Sequence, residues 1–346
     1  MKKLLLACLF IQGATLAHAS PPASAKPDRY AKRCLFQSPQ RTAKPQGTML
    51  WGTKRSWDTE KKAEERSSVL VSTSLEPLMQ ADAEVKALKL EGARLVTLPF
   101  ARSVVGTVLQ GTSSDGKPVE VAICGAEPSS EDPGMVWYRI EAWNDVAQEW
   151  ENPCVAVDRV PDPRALAVSG TWDASGAHHR NPGKLTFACE NGAISKCIQW
   201  GYKPWASRDG QSMADLHQAC TRMARADYCG NGRSHTHQDT AIDMYDRLGV
   251  IARTTESSAQ WDLSRASFEA AWAPDGATCL SRTRDGRALE TVLKECPNRF
   301  RAGTALDLGK GDRCTVQRTD VSPDSALLRN QSYGTTKGAS AQGEDS

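Results

Sequence analysis

Val104-Val105-Gly106-Thr107-Val108-Leu109 and Val119-Glu120-Val121-Ala122-Ile123-Cys124 flank Ser113-Ser114-Asp115-Gly116-Lys117. Two β-branched runs joined through Asp-Gly read as a hairpin, because that dipeptide supplies the positive φ angles a tight turn between twisted strands requires. Downstream, residues 136–142 alternate Val136, Tyr138 and Ile140 against Trp137, Arg139 and Glu141. This is the period of a strand with one better-buried face. Short runs at 154–157, 165–168 and 184–189 read as further strands.

The second half changes period. Ser212-Met213-Ala214-Asp215 has capping-box spacing, and Met213, Leu216, Cys220, Met223 and Asp227 then recur every three or four residues. That spacing predicts a helix over about 213–227, and Ile194, Cys197 and Ile198 predict a shorter one over 193–200. The expected class is α+β: an antiparallel β-sheet followed by disulfide-pinned helices, with a disordered N-terminal leader and a disordered C-terminal tail.

The ends supply the compartment. Lys2 and Lys3 precede an apolar run over 4–16, and Ala17-His18-Ala19 follows, the pattern of a signal peptide cleaved near Ala19. The run is broken by Gln12 and Gly13 and is shorter than the roughly 20 residues of a membrane span, so no transmembrane segment is expected in the mature chain. The division expected is signal peptide 1–19, linker and N-terminal extension 20–92 with a charged helix over 58–68, one domain over 93–314, and tail 315–346. The 43 basic residues less Lys2 and Lys3 leave 41 against 41 acidic ones. A chain without net field or basic runs has nothing to hold a phosphate backbone, which excludes nucleic acid as a partner. Of eleven cysteines, Cys8 leaves with the signal peptide. Ten remain: Cys34, Cys124, Cys154, Cys189, Cys197, Cys220, Cys229, Cys279, Cys296 and Cys314. An even number in an oxidising compartment reads as a disulfide framework for a secreted or periplasmic protein. A helix reaching both Cys220 and Cys229 would hold them about 13 Å apart, beyond bridging distance, so each bonds elsewhere and pins the helix to the sheet. The remaining pairing is open.

Three segments resemble the ADYC domain of exported bacterial proteins: Lys196-Cys197-Ile198-Gln199-Trp200-Gly201-Tyr202-Lys203-Pro204-Trp205; Ala219-Cys220 with Arg225-Ala226-Asp227-Tyr228-Cys229-Gly230; and Glu269-Ala270-Ala271-Trp272-Ala273-Pro274-Asp275-Gly276-Ala277-Thr278-Cys279. The resemblance runs from about Val104 to Cys279. It implies export, cysteine bonding and one domain, and it carries no catalytic role.

Candidate chemistry gathers after the second segment, where Asp227, Cys229, Asn231, Arg233, His235, His237, Asp239, Asp243 and Asp246 lie close in sequence. His235 and His237 with Asp239 or Asp243 offer metal-ligand types. No third ligand stands at a strong spacing, so a polar loop is the better reading and neither metal nor cofactor is expected. A Cys229 nucleophile would leave an odd cysteine. A catalytic reading uses His235 as general acid or base oriented by Asp227 or Asp243. No nucleophile elbow, phosphate loop or His-Glu-x-x-His names a reaction. Trp200, Tyr202 and Trp205 supply a weak ligand-binding platform, set against a core role. The leading expectation is a secreted or envelope-associated binding or structural module with an unidentified envelope or extracellular ligand. The alternative is a secreted hydrolase using His235 with Asp227 or Asp243, and a water-accessible pocket at His235 would favour it.

Overall fold

The computed structural model describes residues 28–35, 71–80, 84–99, 102–113, 118–145, 147–154, 160–236, 240–322 and 325–333. The expected signal peptide, the expected leader up to residue 27, the expected 58–68 helix, the expected turn at Asp115-Gly116, His237 and Asp239 lie outside them, as does most of the expected 154–157 strand.

The fold is predominantly β. A 3-10 turn, Arg29–Lys32, precedes β1 (Val71–Met79), the hairpin β2 (Ala87–Glu91) and β3 (Arg94–Leu98), β4 (Val108–Ser113), β5 (Pro118–Pro128), β6 (Val136–Asn144), β7 (Glu149–Glu151) and β8 (Ala165–Ser169). The small β9 (Thr171–Trp172) and β10 (His178–His179) pair, and β11 (Lys184–Cys189) and α1 (Ala193–Gln199) follow. After a second small pair, β12 (Ser207–Arg208) and β13 (Gln211–Ser212), come α2 (Ala214–Arg225), β14 (Ile242–Asp246), β15 (Ala266–Ala273) and β16 (Gly276–Leu280). The described residues end with α3 (Leu289–Glu295), β17 (Phe300–Asp307), β18 (Arg313–Arg318) and β19 (Leu328–Tyr333).

Six strands close an antiparallel barrel in the order β1-β4-β5-β6-β8-β11, with β11 returning to β1 and β7 added beside β6. Leu109, Val121, Ile123, Tyr138, Ile140, Ala167, Leu185 and Phe187 fill it. Val85, Leu88 and Leu95 of the β2–β3 region join the same core, and the Tyr138 hydroxyl accepts from the Leu95 N–H at 2.6 Å. The interior is therefore packed side chain. Alternation predicts this correctly for Val136, Tyr138 and Ile140, which point inward. The outer wall is covered too: Trp137, Leu166, Val168 and Ala188 pack with Ala193, Ile194 and Ile198 of α1.

The second half is a six-stranded antiparallel sheet, order β14-β19-β15-β16-β18-β17. Its core takes Leu216, Ala219, Cys220 and Met223 from α2 and Val292 from α3. These findings correct the α+β expectation. Among the described residues only three short α-helices occur, and they pack against β layers. The expected 315–346 tail is also corrected. It contains most of β18, and β19 lies between β14 and β15 with buried Asn330, Gln331 and Ser332.

All ten cysteines of the framework are paired: Cys34–Cys124, Cys154–Cys189, Cys197–Cys220, Cys229–Cys296 and Cys279–Cys314. Cys220 and Cys229 do bond elsewhere, but they tie helix to helix and not helix to sheet. Cys220 joins α2 to α1, and Cys229 joins the segment after α2 to the residue ending α3.

Candidate functional site

The candidate cluster begins where α2 stops. Ala226, at φ 50°, leaves the helix in the left-handed conformation, and the Asp227 N–H returns to the Arg222 carbonyl at 2.9 Å. Such a reversal is a standard helix ending, commonly made by glycine. Asp227 is fully buried. Its carboxylate accepts from the amides of Asn231 (3.2 Å) and Gly232 (3.0 Å) and from the Arg222 guanidinium (2.6 Å). Arg222 also donates to the carbonyls of Pro274 and Ser175. The sequence neighbour Arg225 instead donates to the Gly232 carbonyl.

Tyr228 stacks on Trp272, centroids 5.4 Å apart. Its hydroxyl donates to Glu269 at 3.1 Å and accepts from the Arg284 amide at 2.7 Å. Glu269 and Arg284 form a buried two-point ion pair at 2.9 and 3.0 Å, and Arg284 reaches on to the Met223 and Ala224 carbonyls at the end of α2. Burial disfavours the Glu269 carboxylate, but the Arg284 charge outweighs it and holds the carboxyl below its ordinary range. Gly230 has φ +66°, and a β-carbon there would lie 1.7 Å from the Asp275 carbonyl oxygen. The Ala277 N–H bonds the Tyr228 carbonyl at 3.0 Å. The Pro274-Asp275-Gly276 turn and the Ala226–Cys229 tetrapeptide are thus packed against each other.

His235 is 1% exposed. Its Nδ1 lies 3.0 Å from the Ala226 carbonyl and its Nε2 lies 2.8 Å from Glu295 Oε2. Both ring nitrogens thus lie within hydrogen-bond distance of an oxygen of the fold. Glu295 also pairs with Arg233 at 3.0 Å. Its burial is outweighed by the His235 hydrogen bond and by the nearby cations, which hold its carboxyl low. Asp243, on β14, is engaged by the Thr254 hydroxyl at 2.7 Å and by the Thr254 amide. The carboxylate beside His235 is therefore Glu295, sixty residues downstream, in place of Asp227 or Asp243. Sequence offers one weak sign of it: Glu295 precedes Cys296, whose partnership with Cys229 only the fold reveals.

Trp200, Tyr202 and Trp205 do not form one platform. Tyr202 is buried and donates to Asp246 at 3.1 Å, Trp200 packs partly buried against the core, and Trp205 is 37% exposed against Gly92. Among the described residues one His, Cys or carboxylate grouping has metal-like spacing: Cys34, Cys124 and Glu141, within 4.8 Å. Its sulfurs are bonded to each other and are not thiolate ligands.

Two expected outcomes follow from this geometry. Asp227→Asn removes the charged acceptor that faces Arg222 and two turn amides, and should cost roughly 2 to 4 kcal/mol, read as a lower denaturation midpoint. An unchanged midpoint would exclude the structural role. The second concerns His217, 1% exposed, with Nε2 3.1 Å from the Ile194 carbonyl. Burial, with a smaller effect of nearby His178, lowers its pKa from 6.5 to about 4. The unfolded chain then binds more protons than the folded one between those values, so stability falls as pH drops from about 6.5 toward 4. The loss should approach about 2 to 4 kcal/mol. Chemical denaturation at stepped pH should show this slope in the parent and a shallower one in His217→Gln.

The fold and cluster define a disulfide-stapled β-barrel protein with a packed polar junction between helix and sheet. A family model for the ADYC domain matches residues 101–286, just over half of the chain, and the chain belongs to that family. Comparison with curated proteins and with solved structures finds no match.

Proposed function

We propose that the protein is an exported, disulfide-stabilised ADYC module whose role is binding or structural, acting in the periplasm or outside the cell after cleavage near Ala19. The observation that carries this reading is the engagement of the family's own signature. Ala226 ends α2, Asp227 closes the following turn, Tyr228 joins the buried Glu269–Arg284 pair, and Cys229 is bridged. None of the four is free to meet a substrate. Five disulfides suit an oxidising compartment. No helix among the described residues is long and apolar enough to cross a membrane.

The hydrolase alternative needs water and substrate at His235, which is buried, with Asp227 and Asp243 both engaged elsewhere. A surface cleft of about 290 Å³ lies at the start of α2, lined by Ser212, Asp215 and Leu216 and by Arg247 and Leu248 after β14, and includes none of the three. The exported protein should begin near Ser20, titrate no free thiol when denatured without reductant, and leave ester, amide and glycoside chromogenic substrates intact. Turnover that disappears in a folded His235→Gln variant would overturn the non-enzymatic reading. A free thiol or an uncleaved terminus would overturn the exported one.

A further inference from the structure

We propose that residues 28–35 are a redox-released strap over the outer wall of the barrel, with Cys34–Cys124 as its lock. The wall beneath is apolar on its outer face: Val108 of β4, Ala122 of β5 and Trp150 of β7 form a cluster separate from the barrel interior, with Tyr30, Met79 and Trp143 packed on it. Tyr30 lies against Trp150, centroids 6.3 Å apart, and the Trp150 indole N–H donates to the Arg29 carbonyl at 2.8 Å. The Arg29 guanidinium sits 5.5 Å from the Trp143 ring and pairs with Glu120. Arg33 donates to the Gly106 carbonyl at 2.9 Å, and the Cys34 amide donates to Glu141 at 2.7 Å. Trp150 is 2% exposed, and its indole hydrogen bond ends on the strap.

The lock differs from the other bridges in access. Cys34–Cys124 is the bridge in which neither half-cystine is buried, whereas each of the other four has at least one half at 4% exposure or less. Exchange requires a thiolate to reach one bridge sulfur; the other half-cystine that is not buried, Cys296, is bonded to buried Cys229, so Cys34–Cys124 is the bridge that offers two points of attack. The reductant is a dithiol, such as an exported thiol oxidoreductase. One thiolate attacks Cys34 or Cys124 and forms a mixed disulfide, releasing the other cysteine as thiolate. The second thiol of the reductant then displaces the first cysteine. The bridge gains two electrons and two protons, and the dithiol becomes a disulfide. What remains on the strap is an eight-residue segment held by hydrogen bonds, one ion pair and the tyrosine contact, and its departure uncovers Trp143 and Trp150.

The test uses the full chain under graded dithiothreitol, followed by alkylation and peptide mapping. Cys34 and Cys124 should label at about tenfold lower reductant than any other cysteine. At that point hydrogen exchange over 28–35 should lose protection and tryptophan emission should shift red and become quenchable by iodide, with far-ultraviolet dichroism unchanged. A Cys34→Ser, Cys124→Ser double variant should show the open state without reductant. If that variant fails to accumulate, selective reduction of the parent decides alone. Reduction of all five bridges in step, or a strap still protected after its bridge is cut, would overturn the proposal.

Discussion

A fragment trimmed to the family segment, residues 101–286, should not fold. It lacks β1, the strand between β4 and β11, so the barrel opens along both of those edges. It lacks β19, the strand between β14 and β15, so the second sheet splits. Cys124, Cys229 and Cys279 remain, while their partners Cys34, Cys296 and Cys314 are gone. At roughly 2 to 4 kcal/mol per bridge, those three losses alone match the whole stability of an ordinary domain, about 5 to 15 kcal/mol. The expected result is a fragment with three titratable thiols and no cooperative thermal transition, beside a chain spanning 28–333 that has none and melts cooperatively. A fragment that melts sharply would show that the outer strands are accessories.

The second large effect is expected at Glu269. Glu269→Gln keeps the shape of the side chain and leaves Arg284 as a buried cation facing a neutral amide. Breaking one side of a buried pair typically costs about 3 to 5 kcal/mol, because the remaining charge has lost both water and partner. Here the loss spreads, since the same carboxylate accepts from Tyr228 and from the Ser332 hydroxyl on β19. The melting midpoint should fall by roughly 10 °C. Asp307→Asn is the control: its partner Arg313 is 77% exposed and the pair 3.2 Å long, so the change should stay within about 1 kcal/mol. Equal effects at the two sites would mean that the Glu269 network contributes no more than a surface ion pair.

Local chemistry is legible in the sequence wherever one face of an element is apolar and the other is not. The spacing places α1 and α2 to within a residue or two, and the alternation at 136–142 gives the inward face of β6. The even cysteine count gives full pairing. Helix geometry separates Cys220 from Cys229. The second sheet escapes the same reading for physical reasons. β15, Ala266–Ala273, is rich in alanine, a helix former, and is buried along most of its length, so it shows no alternation. β19 is mainly polar: Asn330 accepts from the Trp272 indole and Ser332 donates to Glu269, so its buried side chains look like those of a solvated tail.

Closure of the barrel depends on β1 lying between β4 and β11, a pairing across more than a hundred residues that no local period encodes. The His235–Glu295 and Glu269–Arg284 pairs have the same origin, because each joins side chains that meet only after the sheet has formed. What the sequence by itself determines here is the cysteine framework and the local form of the strongly amphipathic elements. The tertiary structure alone decides which strands are neighbours, which cysteines bond and which carboxylate faces which cation, because those are long-range contacts whose partners carry no mark of each other in the chain.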